Sequence, residues 1–165
     1  MAADGTFADV VAANERYAED FRLRGLDPAA AKGLAVLTCI DSRIEPLAML
    51  GLGPGDAKIL RNGGARVTDD IVRTLVVATY LIDVQRVMVI AHTDCRMTGT
   101  DDELRASIAE AGGPDLRTLA LLTAADPDVT VREDVQKLKT SALLPRIEVG
   151  GFLYDVHTGR LRRLC

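Results

Sequence analysis

Two thiols, one imidazole and an Asp–Arg couple carry the chemistry of this sequence. Cys39 closes the apolar run "LAVLTC" and is followed by Asp41 and Arg43. His92 closes a second apolar run, "RVMVIAH", and Cys95 follows three residues later. The His92-x-x-Cys95 spacing lets both side chains reach one ion from a single turn. Cys39 completes a set of two thiolates and one imidazole, one of the catalytic zinc arrangements, with three protein ligands and an open fourth position. Two thiolates neutralise the divalent ion, whose water is still acidified toward roughly pH 7. Asp41 and Arg43, two residues apart, project to the same side of extended or irregular chain. An Asp paired with an Arg stays ionised and oriented. Beside a metal, such a carboxylate can accept a hydrogen bond from bound water or hydroxide, or swing onto the ion and block it.

Each residue taken singly has a blander reading. A Cys at a strand end is usually a small buried apolar residue, and an Asp–Arg couple can simply fix a loop. His157 reads as a solvated turn residue and Cys165 as a frayed terminal thiol. What separates Cys39, His92 and Cys95 from these is position. Both apolar runs read as strands, and ligands of open parallel sheets bind outside the carboxyl ends of the strands.

The elements that must position these residues follow from periodicity and turn chemistry. Thr6 with Asp9 resembles a capping box. Phe7, Val10, Val11, Tyr17 and Phe21 then fall near helical spacing, which predicts an amphipathic helix from Thr6 to about Leu23. "GLAVLTC" lacks alternation, as does a strand covered on both faces. Pro46 opens a short helix through Leu50, and "AKILRNGG" reads as a strand ending in a tight turn. Thr68 or Asp69 caps a helix over "DDIVRTLVVATYLID", apolar on most of its circumference, which demands cover from the sheet and from something else, such as a second subunit. "DDELRASIAEA" and "DPDVTVREDVQKLKTSA" read as helices, the second against the preference of Val129, Thr130 and Val131. "EVGGFLYDVHTGRLRRL" reads as a hairpin. The expected class is α/β: a central, mostly parallel sheet flanked by helices, with a C-terminal hairpin edge and an N-terminal helical arm. We expect one domain over residues 1–165, with the arm at 1–25 and the core at 34–165.

Composition narrows the function. The 165 residues are 48% hydrophobic and carry a net charge of −4, enough for a sizeable core and too little basic charge for nucleic acid. "RLRR" at Arg160–Arg163 reads as a solvated tail. No apolar run approaches the roughly 20 residues of a membrane span. The N-terminus "MAADGTFADV" lacks the basic and apolar regions of a signal peptide. Three cysteines are too few for a disulfide scaffold and point to a reducing, cytoplasmic setting. Rossmann and P-loop glycine patterns are absent.

The ordered set Cys39-x-Asp41-x-Arg43 and His92-x-x-Cys95 resembles the signature of the β-class carbonic anhydrases, in their short, single-domain branch. "RNGGARVTDD" is similar to that family's Arg-Asn-Ala-Gly segment, and "GFLYDVHTGRL" to its terminal strand pair. The resemblance spans roughly Leu34 to Leu164. It implies reversible hydration of carbon dioxide to bicarbonate by a zinc-bound hydroxide, with one zinc per chain on Cys39, His92 and Cys95. It implies Asp41–Arg43 as the catalytic dyad, with Asp41 becoming a fourth ligand in a closed state. It also implies Gly63, Gly64 and Arg96 at the substrate side, and a homodimer or homotetramer whose N-terminal helix wraps the partner. Three features depart from the family. Arg96 stands where Gly commonly follows the second cysteine, and Gly63 stands where Ala is usual. The Gln that some branches place before the first Cys is missing.

Three other readings share these residues. A hydrolase of carbonyl sulfide or carbon disulfide would use the same zinc site. A non-catalytic zinc-binding regulatory protein would not need the dyad. A thiol redox protein would not need the histidine, and its cysteines would normally stand as Cys-x-x-Cys.

Overall fold

A computed structural model describes residues 6–165. Five strands form one sheet: β1 (Leu34–Cys39), β2 (Ala57–Asn62), β3 (Arg86–His92), β4 (Glu148–Tyr154) and β5 (Leu161–Arg163). Their order is β2-β1-β3-β4-β5. The first four run parallel, and β5 returns antiparallel along β4. The α/β class and the hairpin edge are therefore as expected. Chain order reverses between β1 and β3, so a crevice opens at their carboxyl ends. The register sets Thr38 opposite Ile90, so Cys39 and His92 leave the sheet at the same edge.

Every residue of β1 is buried, which explains its lack of alternation. One face of the sheet, with Ala35, Leu37, Val87, Val89 and Val149, packs against Leu75 and Ala78 of α3 (Asp69–Leu81) and against Val131, Val135 and Leu138 of α5 (Pro127–Lys139). The other, with Leu34, Val36 and Ile90, meets Met49, Leu50 and Leu52 beside α2 (Pro46–Met49). Thr68 caps α3 by accepting from the Ile71 N–H. Asp126 caps α5, with Pro127 in its first turn. That cap, and the burial of Val131 and Val135, offset the β-branched run. A full capping box, Thr100 with Glu103, opens α4 (Asp101–Glu110). No helix among the described residues is long and apolar enough to cross a membrane.

Three expectations need correction. The first helix, α1, runs Ala8–Glu19, shorter than Thr6–Leu23, and its cap position falls on Phe7 with no side-chain hydrogen bond. Thr6 lies one residue too early to cap, and beyond the helix Asp20 turns to bind Arg22. The first five residues of the expected arm lie outside the described residues. Arg160–Arg163 is not a free tail, because Leu161–Arg163 is β5. Cys165 is not frayed: its carbonyl accepts from the Gly151 N–H at 3.1 Å, and Leu164 beside it is buried. Gly151 has no side chain, and a Cβ there would stand 2.8 Å from the Cys165 sulfur.

Much apolar surface stays open on the single chain. No residue of α1 is buried. Val77, Tyr80 and Leu81 of α3 face outward, so the sheet supplies only one side of the cover that this helix requires.

Candidate metal centre

Cys39 at the end of β1, and His92 and Cys95 at and just past the end of β3, converge at the crevice. One ligand atom from each lies within 4.8 Å of the others. The two sulfurs are 3.9 Å apart. His92 is 1% exposed, and its Nδ1 is 2.9 Å from the Thr93 carbonyl. A carbonyl only accepts, so Nδ1 holds the proton of the neutral ring and Nε2 is left with a lone pair. Nε2 is the one buried side-chain nitrogen or oxygen among the described residues with no hydrogen-bond partner. A buried polar atom without a partner is costly. Here it faces two thiols, and a soft divalent ion resolves both needs at once. The residues fit zinc: two sulfurs, one imidazole nitrogen and a carbonyl fixing the ring from behind.

The sulfurs also receive backbone hydrogen bonds. The Gly64 N–H donates to Cys39 Sγ at 3.4 Å, and the Met97 N–H to Cys95 Sγ at 3.4 Å. Without metal, the pair shares its charge unequally. The thiol of Cys95, then His92 and the Gly64 N–H, hold Cys39 low as the thiolate, against the opposing effect of burial. Cys95 is pushed up, first by that neighbouring sulfur and then by burial. Burial works to lower His92, but the nearby Cys39 sulfur with its charge, and then the Thr93 carbonyl, outweigh it, and the imidazole is raised.

Asp41 faces this group, its Oδ2 4.0 Å from His92 Nε2. Both its oxygens are held by Arg43, which donates from Nε at 3.0 Å, Nη2 at 2.8 Å and the backbone N–H at 2.9 Å. These bonds, the side-chain ones foremost, hold its carboxyl well below the usual carboxylate range. Arg43 is itself fixed by Asp94, whose carboxylate and carbonyl accept at 2.7 and 2.9 Å. Asp94 has a positive φ of 54°, a conformation that Asp tolerates better than most residues.

The carbonic anhydrase family model matches residues 34–161 of this chain. The chain is 31% identical to beta-carbonic anhydrase 1 of Mycobacterium tuberculosis over 159 residues, covering 94% of this chain and 96% of that protein. The chain belongs to the β-class carbonic anhydrase family. The crystal structure of carbonic anhydrase from Streptococcus mutans is 36% identical, with a TM-score of 0.89 over 96% of this chain and 97% of that one. A carbon disulfide hydrolase of Saccharolobus solfataricus is 31% identical over 171 residues, covering 88% of this chain and 84% of that protein.

Within this family frame, the remaining expected residues fall on two sides of the site. Arg96 is exposed and lines an open cleft of about 760 Å³ with Asp41, Arg43, Asp94 and Ser107. Gly63 and Gly64 do not line that cleft. They pack on Met97, where a Cβ at Gly64 would come within 3.2 Å of Met97 Cβ. Gly64 also borders a small apolar cavity with His92, Cys95, Met97 and Ala124. His157 is exposed, in the turn that Asp155 organises by accepting its N–H at 2.8 Å.

Several supporting residues went unread in the sequence. Arg61 donates to the carbonyls of Cys39, Ile44 and Asp41, pinning the loop that carries the dyad. Asp94, between His92 and Cys95, carries no sequence signal of its own. Asp134 is buried beside Val131, Val135 and Leu138 on α5. A carboxylate on the apolar face of a helix is a readable signal, because it demands a partner, and that partner is Arg66 at 2.8 Å.

Proposed function

We propose that this chain catalyses the reversible hydration of carbon dioxide to bicarbonate, with Cys39, His92 and Cys95 holding zinc and Asp41–Arg43 as the dyad. The observation that carries this reading is the unpartnered Nε2 of buried His92, facing two sulfurs and an arginine-held carboxylate. A structural zinc site needs no such carboxylate.

Zinc supplies Lewis acidity, lowering the pKa of a water toward about 7. The chain's own residues do the rest. Asp41 is kept ionised by Arg43, so it accepts a hydrogen bond from the attacking hydroxide and leaves a lone pair aimed at carbon. Gly64, Met97 and Ala124 give the site an apolar wall beside His92 and Cys95, and the uncharged substrate enters from the open cleft. As the carbon–oxygen bond forms, one π pair of carbon dioxide moves onto oxygen, and negative charge develops on the product. Arg43 and Arg96 flank the cleft through which bicarbonate leaves. If Arg43 released Asp41, the carboxylate would be free to occupy the fourth metal position, which is the closed state expected from the family resemblance.

The same reading makes the enzyme a cytoplasmic homodimer or homotetramer. Ligand thiols must stay reduced. The uncovered α1, the outward face of α3 and the groove bearing Met88 and Phe152 on the thinly covered sheet face need partners.

Stopped-flow carbon dioxide hydration by zinc-loaded protein tests the function. We expect a rate that rises with pH and is abolished in Cys39→Ser. No rate at any pH, with zinc bound and sulfide released from carbon disulfide, would transfer the site to the activity that the Saccharolobus solfataricus relative is named for. Neither activity, with zinc bound, would leave a zinc-binding protein without catalysis.

A further inference from the structure

We propose that the buried Arg66–Asp134 pair is a positioning element for the metal centre, holding the two backbone N–H groups that bond the ligand sulfurs. The inference rests on the zinc reading above.

Arg66 and Asp134 are 68 positions apart in sequence. Their side chains are only 16% and 6% exposed. Asp134 Oδ2 accepts from Arg66 Nε at 2.8 Å and from the Val67 N–H at 3.2 Å. From there, two short paths lead to the two sulfurs.

The first runs through the turn after β2. The Asn62 side chain clasps Arg66 at both backbone groups: its Oδ1 accepts from the Arg66 N–H, and its Nδ2 donates to the Arg66 carbonyl, both at 2.8 Å. Between them lie Gly64 at φ 78° and Ala65 at φ 58°. Two successive positive φ angles, one on a residue with a side chain, need outside fixing to persist. At the apex of this turn, the Gly64 N–H points at Cys39 Sγ.

The second path starts at the other end of the same guanidinium. Arg66 Nη1 donates to the carbonyls of Leu122 and Thr123, at 2.8 and 3.2 Å. The next residue, Ala124, donates its N–H to the Met97 carbonyl at 2.8 Å. The Met97 N–H in turn points at Cys95 Sγ. One guanidinium, fixed by one buried carboxylate, therefore braces the donors to both sulfurs. Arginine suits this role because its planar fork makes several directed bonds at once, and an ammonium does not.

The chemical consequence follows from charge. An N–H bond to a thiolate draws electron density from sulfur and weakens it as a donor. The metal is then a stronger Lewis acid, and its water titrates lower. Loosening the brace should strengthen both sulfurs as donors and move the activity profile to higher pH.

The test uses Arg66→Lys and Asp134→Asn with cobalt(II) in place of zinc. We expect the sulfur-to-cobalt charge-transfer band to move to longer wavelength in both variants. The pH–rate midpoint should move alkaline. A merely structural pair would lower the melting temperature and leave the band and the midpoint unchanged, which would overturn the proposal while the zinc reading stood. No sulfur-to-cobalt band in the wild type would remove the zinc reading and the proposal together. If neither variant folds, cadmium-113-loaded wild type decides the matter. Through-bond coupling from cadmium to the amide protons of Gly64 and Met97 supports the proposal, and its absence at both overturns it.

Discussion

The guanidinium of Arg43 grips both oxygens of Asp41, through Nε at 3.0 Å and Nη2 at 2.8 Å. A carboxylate held this way is oriented, ionised and unavailable to the ligand set in the same geometry. In the proposed mechanism its work is to aim the nucleophile. Asp41→Asn should therefore retain zinc at the wild-type level and lose roughly 100-fold or more in hydration rate, the scale of a lost proton-handling group. Metal analysis beside stopped-flow assays checks both halves. An unchanged rate removes Asp41 from the mechanism.

Removing the metal should expose the chemistry of the thiols. All three cysteines are free. In zinc-loaded protein, Cys39 and Cys95 should resist alkylation, and both should react once a chelator has stripped the ion, because bound thiolates are poor nucleophiles toward an added reagent. Half-buried Cys165, which meets Gly151 in the middle of β4 and belongs to no cluster with Cys39, His92 and Cys95, should react at the same rate with and without the chelator. Mass-spectrometric mapping of the alkylated residues reads the outcome. Fast labelling of Cys39 and Cys95 without the chelator would favour a thiol redox role.

Arg96 stands at the cleft mouth with its side chain exposed. On the proposed mechanism its guanidinium flanks the path of an anionic product, in solvent that screens it, so its effect should be modest. Arg96→Gly should raise KM for bicarbonate by up to about fivefold, the range of an exposed ion pair, and weaken inhibition by small anions to a similar degree. Dehydration kinetics at two ionic strengths measure this. Identical kinetics and anion inhibition in the two proteins would sink the assignment.

The convergence of Cys39 and His92 was legible in the sequence because each closes a run whose apolar character alone identifies a buried strand, and Cys95 follows His92 by three residues. Cys39 and His92 needed only the rule that strand ends carry function. The hairpin that returns at Leu161 was legible from its His-Thr-Gly turn. What failed was local. Thr6 and Asp9 match a capping pattern, but no residue of α1 is buried among the described residues, so little holds its first turn in that register. Cys165 reads in the sequence as a frayed end, since nothing there says that Gly151 leaves a hollow for it. The brace around the sulfurs was unreadable for a different reason. Arg66 and Asp134 meet across 68 positions, and only the fold brings the 122–124 segment against Met97.

Acid should loosen that same segment. Asp101, in the first turn of α4, accepts from the Thr123 hydroxyl at 2.7 Å, the Thr123 N–H at 3.1 Å and the Leu121 N–H at 2.9 Å. These bonds, the Thr123 hydroxyl foremost, lower its carboxyl from the ordinary 3.8 to about 2. A carboxyl lowered by folding contributes stability that is fully present above its unfolded pKa and is lost as pH falls through the folded one. The window here runs from just above 3.8 down to about 2. Asp101→Asn should be less stable than wild type by a constant margin above that window, and the two should converge as pH drops through it. Urea melts across the range measure the margin. A margin that stays constant down to pH 2 would mean that the segment is held by bond geometry alone, with no contribution from the carboxylate charge. A margin that closes would mean that the Ala124 contact with Met97, and with it the bond to Cys95, rests in part on an acid-sensitive anchor.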